Sequence, residues 1–319
     1  MIDQEVLVRI INDALPIVAA SPVAVKLIDA AEKVIKTLYS PVLTFRNGKA
    51  EVDVEMYRRK MENDILVNQS FTLYEINKLK NFANTVLNAE NELQSVGDTL
   101  SEEETEAADI DFDWMMRFFD AVGNISNADL QRLWGKVLAG EIKSPGKCSL
   151  RTIDIIRNMS SKEAKIYNDL CKYVLVKGNS YFIFADGYID WRYMQNEAQE
   201  YLLNKKINYD DTIIPMIECG LISTKDDLTI DCMDGKVIIY NNCISCFISM
   251  ENSEVQSFPK KAFFLTTSGK ELYHIIKNTS DFIADTEYAI KCFSNIKDVY
   301  PELEIIVYDF KGDECINLE

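Results

Sequence analysis

The side chains with the most reactive chemistry in this sequence are its cysteines and its single histidine. Cys243 and Cys246 form the only Cys-x-x-Cys pair, and a redox pair of this kind needs its first thiol at a helix N-terminus. The surrounding IIYNNCISCFISM predicts a strand instead, in which residues three apart point to opposite faces. A zinc site would also need Cys232 and a distant fourth ligand. We therefore predict that these thiols are structural and bind no metal.

Familiar catalytic motifs are missing from the chain. His274 lies in LYHIIK, a predicted helix, and the sequence lacks GxSxG, HExxH, GxxxxGK(S/T) and GxGxxG. The carboxylate pairs Asp210-Asp211 and Asp226-Asp227 stand in predicted turns, where aspartate hydrogen-bonds to local backbone groups. We predict no catalytic residue, no metal and no cofactor. A hydrolase without a familiar motif stays open as an alternative function.

The charge balance disfavours nucleic acid as a partner. The chain holds 34 Lys and Arg against 51 Asp and Glu, and its formal net charge of −17 repels phosphate backbones. The basic clusters Arg58-Arg59-Lys60, Lys205-Lys206 and Lys260-Lys261 are brief and typical of solvated faces. The last two flank a region that resembles a winged helix, so a winged-helix nucleic-acid-binding protein is a second alternative.

Cysteine usage and hydropathy indicate a cytoplasmic protein. The cysteines lie in apolar surroundings, as at Cys171, which is typical of structural thiols in a reducing compartment. Asp3 and Glu5 stand where a signal peptide carries basic residues. The longest apolar stretch, residues 14–30, is broken by two prolines and falls short of the about 20 apolar residues of a membrane span. Peripheral contact of residues 14–30 with a membrane is an alternative.

Several types of segment would position these residues. Residues 1–100 predict long helices, the last of them over about 49–95. Residues 101–112 are dense in carboxylates and predict a solvated acidic linker. Residues 113–174 predict a central helical module, and residues 175–319, rich in Tyr, Ile, Phe and Val, predict a mixed α+β domain.

Large aromatic side chains anchor the central module. Trp114 and Phe118 share one helical face, and Trp134 lies on the apolar face of the next helix, so we predict all three as structural anchors. Ser126 is predicted to cap that second helix, and Ser160 is predicted to open a later helix with a capping box.

The C-terminal domain is predicted to be winged-helix-like. Helices near 192–206 and 211–219 precede a hairpin around Asp234-Gly235, and a Thr- or Ser-capped helix follows within 263–276. The predicted fold class is therefore mainly α with a C-terminal α+β part: a helical N-terminal and central bundle is followed by a winged-helix-like mixed domain.

Three elements of the central module resemble the signature of an uncharacterised bacterial domain family. They read Trp-x-x-Arg-Phe-Phe from Trp114, Gln-x-Leu-Trp-x-Lys-x-Leu-Ala-Gly-Glu from Gln131, and Pro-Gly-x-x-Ser-Leu-Arg-Thr from Pro145. Looser similarity reaches from Tyr39 to Leu272. The resemblance implies an architecture but no activity, substrate or catalytic residue. In organisation the chain is similar to accessory proteins of bacterial phage defence, which is an argument by analogy.

The polar members of these elements are the candidate functional residues. Glu141 and Arg151 flank the Pro145-Gly146 turn, where a charge-assisted pair would hold two helices together. With Arg117 and Gln131 they form a hypothetical polar network that either locks the fold or presents a partner site. We therefore predict a non-enzymatic interaction or regulatory protein that binds a protein partner or associates with itself.

Overall fold

A computed structural model describes residues 74, 77–78, 80–95, 110–185, 197–224, 226–231, 236–250, 255–309 and 315–317. The chain divides between Arg157 and Asn158 into two compact units. The predictions for residues 1–73, which include the apolar stretch 14–30, and for the acidic stretch 101–109 lie outside the described residues. Within the described residues, no helix is long and apolar enough to cross a membrane.

The described part of the first unit is helical. Its elements are α1 over residues 80–95, α2 (Phe112–Gly123), α3 (Ala128–Lys143) and α4 (Leu150–Asn158), whose last residue belongs to the second unit. α1 buries Phe82, Ala83 and Val86 at the helical spacing that the sequence predicts.

Aromatic rings form the centre of this helical core. Trp114 stacks on Phe118, with ring centroids 5.1 Å apart, and Phe118 meets the edge of Trp134 at 5.4 Å. The indole Nε1 of Trp114 donates to the carbonyl oxygen of Cys148 at 2.8 Å. All three rings are buried, and the indole Nε1 of Trp134 has no hydrogen-bond partner among the described residues. Such contacts between rings add to the stability that the burial of the rings alone provides.

Side-chain caps decide where the helices begin. Asp111 accepts a hydrogen bond from the backbone N–H of Trp114 at the start of α2. The prediction that Ser126 caps α3 is wrong by one residue, because Asn127 accepts from the N–H groups of Asp129 and Leu130. An asparagine at this position satisfies helix N–H groups as well as serine does.

Helices α1 and α3 approach each other closely at Gly135. A Cβ atom at this position would lie 2.5 Å from the Cβ of Asn88 and 3.0 Å from the backbone nitrogen of Ala89. Only a residue without a side chain leaves room for that approach.

The second unit combines helices with strands. Its elements are α5 (Ser161–Cys171), β1 (Leu175–Lys177), β2 (Ser180–Phe184), α6 (Glu197–Asn204), a π-helical turn (Tyr209–Ile213) that runs into α7 (Ile214–Glu218), β3 (Asp226–Asp231), β4 (Lys236–Tyr240), β5 (Ile244–Ser249), β6 (Ser257–Phe264), α8 (Thr267–Lys277), α9 (Thr286–Val299), β7 (Glu304–Asp309) and β8 (Cys315–Asn317). The predicted capping box is confirmed, because Ser160 and Glu163 exchange both hydrogen bonds at the start of α5.

The strands form one eight-stranded antiparallel sheet in the order β3-β6-β2-β1-β4-β5-β7-β8. Most of its pairs join strands that are distant in the chain: Phe182 on β2 lies opposite Phe264 on β6, and Phe247 on β5 lies opposite Ile306 on β7. Such pairing depends on which faces can be buried together.

The predicted fold class, mainly α with a winged-helix-like tail, is therefore wrong. The hairpin expected around Asp234-Gly235 does not form, because β3 pairs with β6 while β4 pairs with β1 and β5. A turn signal reports only on its immediate neighbours, whereas β3 takes its partner, β6, from the tertiary arrangement.

The two faces of the sheet have different coverings. On one face α8 lies over β1 and β2, where Tyr181 meets the rings of Tyr273 and His274. On the other face Phe258 packs on Tyr300, directly after α9, with centroids 4.6 Å apart. Along β4 and β7 buried and exposed residues alternate, so one face of these strands is core and the other meets solvent.

Candidate functional site

The first unit contains a cleft of about 460 Å³ whose rim is charged. We call it the basic cleft, because three of its lining side chains are cationic and two are carboxylates, in a chain whose net charge is −17. Its lining residues are Lys78, Met116, Arg117, Phe119, Asp120, Asp154 and Arg157.

Three ion pairs connect the charged groups of the basic cleft. Asp120 bridges two cations: its Oδ1 lies 3.2 Å from Lys78 Nζ, and its Oδ2 lies 3.0 Å from Arg157 Nη2. Arg117 Nη1 lies 2.9 Å from Asp154 Oδ2. The pairs join helix α2 to α4 and to the helical residue Lys78 just before α1, so the cleft exists only where these elements meet.

Helical spacing places these side chains on shared faces. Arg117 and Asp120 are three residues apart on α2, and Asp154 and Arg157 have the same spacing on α4. Met116, partly buried, and Phe119, which is buried, add apolar surface to the lining. Charged groups thus surround an apolar patch, an arrangement that suits an amphipathic ligand.

The lysine side of the basic cleft is held in place by its own contacts. Lys78 Nζ lies 5.2 Å from the ring centroid of Tyr74, and the Tyr74 hydroxyl donates to Asn124 at the end of α2. Asn81 donates through Nδ2 to the carbonyl oxygen of Gly123 at 2.8 Å. Since the Lys78 side chain is only 16% exposed, these contacts fix it more firmly than the two arginines.

The two guanidinium groups are the accessible part of the cleft. The side chains of Arg117 and Arg157 are 52% and 47% exposed, and their carboxylate partners are exposed to a similar degree. Ion pairs with this exposure contribute at most about 1 kcal/mol, so a competing anion can exchange with them at low cost. A guanidinium group can also form a bidentate pair with a carboxylate.

The four predicted polar residues have separate partners. Arg117 lies in the basic cleft. Gln131 is buried and donates to the carbonyl oxygen of Ile125 at 2.8 Å, which ties α3 to the loop before it. The described contacts do not join either side chain to Glu141 or Arg151.

Glu141 binds the turn between α3 and α4. Its carboxylate, 1% exposed, accepts from the backbone N–H of Gly146 at 2.5 Å and of Cys148 at 3.1 Å. Arg151 is exposed, and among the described residues it forms no ion pair with Glu141. The carboxylate therefore satisfies backbone groups of the turn, where Gly146 has a φ of 78°.

In the second unit, the histidine and two of the cysteines are packed against other side chains. His274 packs against the rings of Tyr181 and Tyr273. Burial raises the pKa of the Cys171 and Cys246 thiols well above the usual range, which lowers their reactivity. Among the described residues, no group of three or more His, Cys, Asp or Glu side chains is placed to hold a metal ion.

The predicted basic clusters of the second unit are engaged within the chain. Lys260 donates to Asn295 at 3.2 Å, and Lys261 pairs with Asp227 on the neighbouring strand. Lys205 Nζ lies 5.0 Å from the ring centroid of Tyr201. Each of these three lysines therefore contacts a different group of the second unit.

Of the charged residues that line the basic cleft, the sequence motifs predict only Arg117 as a candidate, and Lys78, Asp120, Asp154 and Arg157 lie outside that prediction. A signal for the last three existed, because opposite charges three residues apart recur on α2 and α4. Such pairs occur on many solvated helices, and only the packing of the helices shows that these converge.

Residues 80–288 match the model of a family described as a protein of unknown function (DUF2806). No curated protein and no solved structure matches the chain. The match includes α1, the central helices and most of the strands, and it confirms the predicted membership of a family without an assigned function. Because the matched region is more than half of the chain, the protein belongs to the DUF2806 family.

Proposed function

We propose that the protein is a non-enzymatic interaction protein whose helical unit binds an acidic segment of a partner protein at the basic cleft. The observation that carries this proposal is the pair of half-exposed guanidinium groups, Arg117 and Arg157, beside the apolar surface of Met116 and Phe119. A carboxylate side chain of the partner takes the place of Asp154 or Asp120, and an adjacent apolar side chain covers the lining.

The charges of the cleft support an anionic ligand. Lys78, Arg117 and Arg157 exceed Asp120 and Asp154 by one positive charge, while the chain as a whole repels anions. A short acidic segment can reach into the cleft and meet this local positive excess. An extended polyanion would instead have to follow the negative surface around it. The local excess therefore favours a protein segment over nucleic acid.

The expected affinity of the cleft comes from the exchange of its internal ion pairs for ion pairs with the partner segment. The existing pairs are half-exposed and weak, so their loss costs little, and the new guanidinium–carboxylate contacts become less exposed when a peptide covers them. The apolar lining adds contacts that Asp154 and Asp120 cannot make. Binding should therefore weaken as salt is added, without disappearing.

The test is fluorescence anisotropy of the full chain with a short labelled peptide that contains glutamate and leucine. We expect the Arg117→Glu, Arg157→Glu double variant to bind at least about tenfold more weakly, which corresponds to a loss of about 1.4 kcal/mol. We expect Asp154→Asn to bind more tightly, because it removes a carboxylate that competes for Arg117.

Arg132→Glu is the matched control. Arg132 lies on α3 of the same unit, its side chain is 68% exposed, and its partner Asp129 lies three residues away, outside the cleft. The same change of charge at this position should leave the affinity within about twofold, since exposed pairs contribute little. Equal loss in the control and the cleft variant, or no binding of the acidic peptide to the unmodified chain, rejects the proposal.

The phage-defence role predicted from the organisation of the chain stays a prediction. A cleft for an acidic partner segment is compatible with an accessory protein in any regulatory pathway. A phage-plaquing assay that compares the double variant with Arg132→Glu in the native host would test whether the basic cleft matters for such a role.

A further inference from the structure

Among the described residues of the second unit, the sheet has a patch of exposed apolar side chains that no helix covers. On β4, β5 and β7, the residues opposite the core face form three rows across the strands. The central row is Ile238–Phe247–Ile306, and one outer row is Tyr240–Ser245–Tyr308. The other outer row is Lys236–Ser249–Glu304, and we call the three rows together the open face.

The open face exposes large apolar side chains. Ile238 is 45% exposed and Tyr308 is 41% exposed, and Phe247 between them is partly exposed. Phe247 and Tyr308 also meet edge to face, with centroids 5.2 Å apart, so the aromatic side chains form one continuous surface. Helix α8 covers the neighbouring strands β1 and β2 of the same face, and in the part of the chain that the structure describes no element covers this patch. Contiguous apolar surface of this kind marks an interaction site.

We propose that the open face is the interface of a homodimer, in which two copies of the sheet pack face to face around a two-fold axis parallel to β5. This inference is independent of the partner-binding function of the basic cleft, because it rests on different residues in the other unit. Two sheets in such an arrangement lie about 10 Å apart and interdigitate their side chains.

The register of the strands makes the open face complementary to itself. The two-fold axis places β4 of one copy over β7 of the other and β5 over β5, and it keeps the three rows aligned. Ile238 then faces Ile306 of the second copy, and the Phe247 rings of the two copies meet at the centre. In a two-fold interface the same surface of both copies takes part, so each residue must suit the residue that it faces. Here both members of each of these pairs are apolar.

Charge distinguishes a second copy from other apolar occupants. In the same arrangement Lys236 of one copy faces Glu304 of the other, and the contact occurs twice. Both side chains are exposed at the ends of their strands, at the rim of the apolar rows. Lys236 already has a contact within its own chain, and Glu304 adds a partner of opposite charge. Complementary rim charges of this kind fix the register and orientation of an interface.

The test begins with sedimentation equilibrium of the full chain over a wide range of micromolar concentrations. We expect a reversible monomer–dimer equilibrium that Phe247→Ser weakens at least about tenfold, as for a central aromatic residue of an interface. Ile238→Lys should weaken the dimer in the same way, and it serves as the test if Phe247→Ser folds poorly. Ile238 is half-exposed, so a charge at this position should be tolerated in the folded chain. Near-UV circular dichroism verifies that each variant is folded.

Val299→Lys is the matched control for the apolar substitutions. Val299 is 56% exposed and ends α9, which lies on the opposite side of the sheet, so the same chemical change there should leave the dimer intact. A chain that stays monomeric at all concentrations, or a dimer that Phe247→Ser and Ile238→Lys leave unchanged, overturns the proposal.

A charge-swap experiment tests the two-fold arrangement itself. Lys236→Glu and Glu304→Lys each place like charges in contact within a homodimer, so each variant should dimerise more weakly than the unmodified chain. Mixing the two single variants should restore the affinity, because the mixed dimer brings opposite charges together at both contacts. Failure of the mixture to dimerise better than either variant alone overturns the face-to-face arrangement.

Discussion

At the scale of single residues, the structure shows how neighbours set the reactivity of Cys219. Glu163 accepts the hydrogen bond of the Ser160 backbone N–H at 2.6 Å, and this bond keeps the pKa of its carboxyl group below the usual value. The Cys219 thiol is partly buried, and burial together with the negative charge of Glu163 raises its pKa to about 11. A thiol with this pKa is almost fully protonated at neutral pH and alkylates slowly.

We predict that Glu163→Gln speeds the alkylation of Cys219. Glutamine can keep the capping box while it removes the negative charge, so the thiol pKa falls and the thiolate fraction at neutral pH rises. The rise should reach at most about tenfold, equivalent to one pKa unit, because burial persists. Iodoacetamide labelling followed by peptide mass spectrometry over a pH series measures the rate. An unchanged pH profile would show that Glu163 does not influence the thiol.

At the scale of elements, short polar contacts hold the helix ends and the turns between helices. Glu141 on α3 binds two backbone N–H groups of the turn that leads to α4, and the Trp114 indole binds the carbonyl oxygen of Cys148 in the same turn. The turn is therefore tied to both α2 and α3. The candidate pair Glu141–Arg151 is replaced by a contact between a side chain and the backbone.

We predict that Glu141→Gln lowers the free energy of unfolding by about 1.5–3 kcal/mol, the usual worth of a hydrogen bond to a buried charged group. The amide keeps the shape of the side chain but provides one acceptor where the carboxylate provides two. Urea denaturation measures the change. Arg151→Ala is the control and should cost less than about 0.5 kcal/mol, because its side chain is exposed. A large effect of Arg151→Ala would support the ion pair with Glu141 instead.

At the scale of the whole molecule, the net charge of −17 opposes compact folding. The described ion pairs are mostly exposed and offset only part of this repulsion. Both units must therefore be stabilised chiefly by burial, as the aromatic core of the first and the buried apolar residues of the sheet in the second indicate. The same negative charge makes two copies of the chain repel each other. Dimerisation through the open face therefore depends on the attraction between its apolar rows.

We predict that the melting temperature rises with salt at neutral pH. Between about 0.01 M and 0.15 M NaCl the Debye length falls from about 30 Å to about 8 Å, which screens repulsion between distant carboxylates. Differential scanning calorimetry measures the shift. The effect should shrink as the pH approaches the sequence pI of about 4.6, where the net charge vanishes. A melting temperature that falls with salt at neutral pH would mean that attractive pairs dominate.

Local physics accounts for what the sequence alone predicted correctly. The capping box at Ser160 and the apolar stripe of α1 depend on residues three or four positions apart, which one helix brings together. The family membership likewise follows from linear motifs around Trp114 and Trp134.

Only the tertiary structure decided the sheet and the two candidate surfaces. The basic cleft joins Lys78 to Asp120 and Arg117 to Asp154, which are 42 and 37 positions apart. The pairing of β5 with β7 and of β2 with β6 crosses intervening helices and strands. The energy of such contacts comes from the joint burial of surfaces that no short window of sequence contains, so local turn signals at Asp234-Gly235 pointed to the wrong partner strand.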